Sequence, residues 1–156
     1  MPAKMAIDVP VGWWEKASIT DVIALMNARS ADTGAQVNGC YHLGRCLLTS
    51  NVAEMQKNIM DGDGVLAVVA AMKQHLTHPT VQQYGCSLLG RLADNNPSNQ
   101  VLIAGAGGIA AIMLGMGQHH QLPKNKEIQE QGCEALRKLN HQNAANQKVL
   151  AANQEW

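Results

Sequence analysis

The sequence predicts an all-α fold assembled from a tandem helical repeat, and three observations carry that prediction. One pattern occurs three times at nearly constant spacing, its apolar residues fall at helical intervals, and the composition supplies an aliphatic core. The 156 residues suffice for one ordinary domain. Apolar types reach 46% while aromatics are only 3%, with no Phe, so the core must come from Leu, Ile, Val, Ala and Met. Charged residues are 15%, with 12 Lys+Arg against 12 Asp+Glu, so bulk charge implies no polyanionic partner. Much of the polarity lies in Asn and Gln, which argues against both an acidic disordered chain and a basic tail.

Three segments align without a gap: Ala35 to Cys46 (AQVNGCYHLGRC), Val81 to Leu92 (VQQYGCSLLGRL) and Ile128 to Leu139 (IQEQGCEALRKL). Each has a Gln, then Gly-Cys, a Leu four positions after that Gly, and a basic residue two beyond the Leu. Gly39 and Gly85 are 46 positions apart and Gly85 and Gly132 are 47, within the period of stacked helical repeats.

Taken in order, Ile19 to Met26 predicts the first core helix, because Met26 precedes Gly39 by the same 13 positions that separate Met72 from Gly85. Gln56 to His75 lies over Asn99 to His119, with Gly64, Met72 and His75 matching Gly108, Met116 and His119. The Gly62-Asp63-Gly64 and Gly105-Ala106-Gly107-Gly108 clusters break a short helix from a longer one. Asn96-Pro97 reads as an N-cap followed by Pro at the first helical position. Val81, Gly85, Leu88, Leu89 and Leu92 form one helical stripe, as do Ile128, Gly132, Ala135, Leu136 and Leu139. The glycine at the same point of all three aligned segments predicts close approach of a neighbouring helix. Three helices per unit result, with a last copy reaching only Asn146 to Asn153.

The pattern NPSNQVLIAGAGGIAAIMLGMGQH followed by IQEQGCEALRKL resembles an armadillo repeat, with a short first helix near Asn-Pro, a Gly turn, a second helix and a long third helix. The resemblance covers roughly Ile19 to Asn153; the related HEAT class, usually two helices per unit, is the structural alternative. It implies a right-handed α-α superhelix whose third helices line a concave groove for an extended peptide. In many members a Trp and an Asn four residues later grip the ligand backbone. Here the matching pairs are Tyr41 and Arg45, Ser87 and Arg91, and Glu134 and Lys138. The Asn ladder of nuclear-import adaptors is therefore missing, and a basic residue in every pair points to carboxylates or phosphates.

Residues four apart share a helix face. Packed helices lie about 8–10 Å apart and three residues of an extended peptide cover about 10 Å, so one cation per repeat could meet every third residue of an acidic strand. Arg offers a bidentate fork that Lys138 lacks, and Glu134 stands where it could neutralise Lys138 internally. Asn38, Tyr84 and Gln131, one turn earlier, would add hydrogen bonds and an aromatic anchor. The competing reading of the three cations is an ordinary solvated face.

Other constellations carry less. Gly105, Gly107 and Ala110, with Glu127 further on, satisfy a dinucleotide fingerprint, but that motif needs a strand before it, and the sister segment NIMDGDGVLAVV has the same glycine break. His75 with His78, or His119 with His120, could be paired with Cys86 or Cys133 as metal ligands, yet no second pair at metal-site spacing accompanies them. His75 and His119 read as helix-end residues complementing the dipole. Cys40, Cys86 and Cys133 are repeat equivalents, expected to be small core residues beyond disulfide reach of one another; with Cys46 they suit a reducing compartment. No catalytic arrangement recurs, so no enzyme activity, cofactor or metal is expected.

The expected layout is an N-terminal segment over 1–17 as a candidate cap, and a repeat domain over 18–154 divided at 18–50, 51–95 and 96–141, with a partial repeat over 142–154. The N-terminus lacks the apolar core of a secretory signal, and charge-free Val101 to Gly117 is too short and glycine-rich to span a membrane. A cytoplasmic home is expected, with the nucleus as alternative. Because the pattern starts and stops part-way through a repeat, both ends are expected to be adhesive, with Trp13, Trp14 and Trp156 as their apolar groups. The expected function is a non-enzymatic scaffold binding an extended acidic or phosphorylated peptide in the groove, its partner another protein and neither nucleic acid nor membrane. The alternative is a structural module that self-assembles through its ends, as a head-to-tail or swapped homo-oligomer or as a piece of a longer solenoid.

Overall fold

The glycine breaks, caps and apolar stripes translate into helices almost one for one. The computed structural model describes residues 9–121 and 123–154, and among these the chain is all-α, with ten helices and no strand. A short α1 (Trp13–Lys16) precedes α2 (Ile19–Ala28) and α3 (Thr33–Cys46). Two complete triplets follow: α4 (Val52–Asp61), α5 (Gly64–Gln74) and α6 (Pro79–Ala93), then α7 (Pro97–Gly105), α8 (Gly108–Gln118) and α9 (Lys126–Asn140); α10 (Ala144–Ala152) comes last. Trp156, expected as an apolar end group, lies outside the described residues.

Local chemistry sets the boundaries. Ser18 and Asp21 form a reciprocal capping box at the start of α2. Asp32 caps α3, His78 caps α6 ahead of Pro79, and Asn96 and Asn143 cap α7 and α10. The bend between short and long helices is made by a left-handed residue, Asp63 in one unit and Gly107 in the next. Glycine takes that backbone freely, and a short polar Asp tolerates it.

Consecutive units meet along equivalent helices: α2 packs on α5 and α5 on α8, α3 on α6 and α6 on α9, while α10 lies on α7 and α9. The shared glycine has the predicted role. A β-carbon on Gly39, Gly85 or Gly132 would collide with the thioether of Met26, Met72 or Met116, so one methionine per unit nests in the gap left by one glycine. Around this contact Leu43, Val68, Leu88, Leu89, Leu92, Ile103, Ile112 and Leu139 are fully shielded from solvent.

The Asn and Gln content also has a structural location. The Gln that opens each third helix donates both amide hydrogens to the carboxyl end of the second. Gln36 bonds the carbonyls of Met26 and Arg29 at 3.0 and 2.9 Å. Gln82 bonds those of Met72 and His75 at 2.8 and 3.0 Å. Gln129 bonds those of Met116 and His119 at 2.8 and 3.0 Å. The helix ends leave the Met26 and Met72 carbonyls without a backbone donor, and a buried orphan is costly; those of Arg29 and His75 also accept from the Asp32 and His78 amides. A second set crosses between units: Asn96 donates to Gln56 and Asn143 to Gln100, while the Asn99 and Asn146 amides bond the Leu92 and Leu139 carbonyls. His75 and His119 sit at helix ends as expected, and also reach across units, Nε2 meeting the carbonyl oxygens of Ser30 and Leu76 at 2.7 and 2.9 Å. Neutral side-chain amides can satisfy buried carbonyls without the cost of burying charge, which accounts for a chain so rich in Asn and Gln.

At the amino end Trp14 stacks on His42 of α3, with ring centroids 4.8 Å apart, and Trp13 meets Trp14 edge-on. Both indoles are half-buried against the core. The three repeat cysteines are not equivalent in burial: Cys40 and Cys86 are buried, whereas Cys133 is exposed and so is not the core residue its register implied.

Candidate functional site

The long helices α3, α6 and α9 carry the expected pairs, and those pairs line one continuous surface. A depression of about 280 Å³ is walled by Tyr41, Arg45, Leu48, Tyr84, Ser87, Arg91 and Gln131. The next hollow along shares Ser87, Arg91 and Gln131 and adds Glu134 and Lys138. Eight of the nine groove residues read from the sequence thus meet here. The ninth, Asn38, is half-buried with its amide spent on the Gly34 carbonyl of its own helix, and it lines neither hollow.

The aromatic part is formed by two tyrosines from successive units. Tyr41 and Tyr84 lie 5.5 Å apart in a tilted pair, and the Arg45 guanidinium sits 5.8 Å above the Tyr41 ring. His42, edge-on to Tyr41, is held below its ordinary value by burial first and by the Arg45 charge second, with Glu15 opposing.

The three cations are not alike. Arg45 is exposed and stacks on Tyr41. Arg91 is half-buried, and its Nη1 donates to the Gly44 carbonyl at 3.0 Å, which ties the end of α3 to α6. Among the described residues no carboxylate forms an ion pair with either arginine. Lys138 is only 18% exposed and is shared between two carboxylates, Asp94 at 3.5 Å and Glu134 at 3.6 Å. The neutralisation expected from Glu134 is therefore present, but Asp94 is the nearer partner. Glu134 is chiefly engaged with Arg137 through two bonds of 2.8 and 2.7 Å, the main reason its carboxyl sits below the usual carboxylate range.

Asp94 is the residue that the sequence reading missed, and the repeat register identifies it. Gly39 and Gly85 set an offset of 46, which places Leu48 where the next unit has Asp94. The carboxylate that pairs with Lys138 is replaced, one unit earlier, by an aliphatic side chain, so Arg91 has no carboxylate within ion-pair distance although Asp94 lines the same hollow.

This surface offers guanidinium, phenol, hydroxyl and amide groups suited to an anion flanked by flat or apolar groups. The glycine segment Gly105-Gly107-Ala110 is the turn between α7 and α8, with helix on both sides, and Glu127 lies on α9. Among the described residues no three His, Cys, Asp or Glu side chains converge as a metal ion requires. No single described helix is long and apolar enough to cross a membrane; α7 and α8 reach that length only as a pair bent by 68°. Comparison with protein-family models, with curated protein sequences and with solved structures finds no match to this chain.

Proposed function

We propose that the chain is an armadillo-like α-solenoid that acts as a non-enzymatic protein-interaction scaffold, with α3, α6 and α9 as the walls of a groove for an extended peptide bearing carboxylates or phosphates. The observation that carries this reading is the pair of arginines without acidic partners, Arg45 and Arg91, set on successive helices beside Tyr41 and Tyr84 in one depression. An anion entering there meets charge-assisted donors that no internal carboxylate has already taken. Lys138, paired with Asp94, contributes less, so the ligand's essential acid lies at the α3–α6 end.

The test is fluorescence anisotropy with a labelled peptide carrying glutamate at every third position, alongside a phosphoserine version. Arg45→Glu and Arg91→Glu should each weaken binding about tenfold or more, because reversal leaves like charges facing. Arg45, exposed and with no carbonyl to hold, is the cleaner of the two. Binding by neither peptide, or binding indifferent to Arg45→Glu, defeats the reading.

A second reading, self-association through the last unit, is favoured by one observation. Cys133 is exposed where its equivalents are buried, and Met113, Leu136 and Leu150 are covered only in part. Association at that face predicts a mass that rises with concentration in light scattering and is unaffected by Arg45→Glu; a strict monomer at high micromolar concentration removes it.

A further inference from the structure

Leu48 is 67% exposed, and what sets it apart from the other exposed leucines is that it lines two neighbouring hollows. It stands on the wall between two hollows. One is the depression holding Arg45, Tyr41 and Arg91; the other is larger, about 550 Å³, and lies among the ends of α3 and α6, the start of α4, and Lys138. Arg91 also lines both. The second hollow is divided in character. Leu47 and Leu48 after α3, and Val52, Ala53 and Gln56 of α4, line it from one pair of elements, while Arg91, Asp94, Asn95 and Lys138 line it from the end of α6 and from α9.

The difference between units gives this division a direction. One unit on, Asp94 holds Lys138 at 3.5 Å and closes that rung to anions. Here Leu48 occupies the equivalent position, which leaves Arg91 open and puts an apolar surface beside it. Val52, 38% exposed, extends that surface onto α4.

We propose that the Leu48–Val52 hollow is a subsite for an aliphatic side chain next to the anion held by Arg45 and Arg91, so that the groove selects an amphipathic acidic segment over a uniformly acidic one. This rests on the groove reading above. The partner chemistry follows from complementarity: two uncompensated guanidinium groups call for an acid, and the adjoining apolar wall calls for a residue such as Leu, Ile or Val. A strand turns residues i and i+2 to the same side, so an acidic residue and an aliphatic one two positions away can address the two hollows together.

The experiment compares the labelled glutamate peptide with a set in which a single glycine spacer, at each position in turn, is replaced by leucine. At least one leucine peptide should bind about tenfold tighter, as expected for covering one aliphatic side chain. Leu48→Ala should erase most of that preference, bringing the ratio of the two affinities, leucine peptide against leucine-free peptide, close to one. Leu48→Asp, which transplants the Asp94 arrangement beside Arg91, should weaken every peptide. Leucine and glycine peptides that bind alike, or a preference that survives Leu48→Ala, overturn the subsite and leave the groove standing. Absence of binding by all peptides overturns both. Because Leu48 is exposed, equal melting temperatures of the variants and the unaltered chain check that folding is intact.

Discussion

The Met72 thioether occupies the volume that a β-carbon on Gly85 would need, with Cγ and Sδ both 2.6 Å from that position. Gly85→Ala gains up to about 1 kcal/mol of helix propensity but overpacks a buried contact, typically a cost of about 1–3 kcal/mol. The expected net effect is destabilisation, read as a lower urea midpoint with unchanged slope. Gly105→Ala, where nothing lies within 4 Å, is the control and should be neutral or slightly stabilising. Cγ as well as Sδ is struck, so rotation of the thioether alone does not relieve the clash.

Gln82 is fully buried and spends both amide hydrogens on the Met72 and His75 carbonyls. Gln82→Leu keeps the apolar bulk and orphans the Met72 carbonyl, while the His75 carbonyl keeps its bond from the His78 amide, so the cost is about 1–3 kcal/mol. The equivalent Gln129 is half-buried, so water can replace part of its role and Gln129→Leu should cost less. Urea denaturation of the two variants side by side checks the order; equal losses contradict it.

The architecture was legible because it is repeated. Gly39, Gly85 and Gly132 fixed the register, and the predicted close approach is the methionine contact found at all three. The Asn96-Pro97 start and the glycine breaks fell where helices begin and bend. The site was less legible, because side chains on one face need not share one role. Arg45, Arg91 and Lys138 are equivalent by spacing, yet what separates them is a residue beyond the aligned segments, Leu48 or Asp94. Likewise Cys133 matches Cys40 and Cys86 in register, and its exposure depends on what packs beside α9.

Burial pushes the thiols of Cys40 and Cys86 up to about 12, while Cys133 is exposed. Thiolate is the reactive form. Native protein treated with a maleimide at neutral pH should therefore label fastest at Cys133, more slowly at half-buried Cys46, and at Cys40 and Cys86 only after unfolding. Peptide mapping by mass spectrometry reads the order, and early labelling of Cys86 contradicts the packing of α6 described above.

His78 caps α6 by accepting from the Val81 amide through Nδ1 at 3.4 Å, which requires that nitrogen to be unprotonated. Its value is lowered from 6.5 by burial first, then by the charges of His75 and His119. The unfolded chain therefore takes up the proton more readily than the folded one, and the stability contributed by the neutral ring is present above about 6.5 and lost as pH falls through the lower folded value. His42, also lowered, acts in the same direction. The melting temperature should fall on going from pH 7.5 to 5.5. His78→Asn retains a capping group that does not titrate and should flatten the fall; an unchanged profile in that variant disproves the assignment.

Asp94 closes the third rung by holding Lys138, so removing its charge should open it. Asp94→Asn leaves the backbone carbonyl that accepts from Gln56 in place and deletes only the carboxylate facing the ammonium. Glu134 remains 3.6 Å from Lys138, but its stronger bonds go to Arg137, so Lys138 becomes substantially available. Affinity for the glutamate-spaced peptide should rise several-fold, and its salt dependence should steepen because one more cation takes part. Lys138→Gln in the Asp94→Asn background should return both to their starting values. If Asp94→Asn leaves affinity and salt slope unchanged, the third helix of the last unit does not belong to the ligand's path, and the groove ends at Arg91.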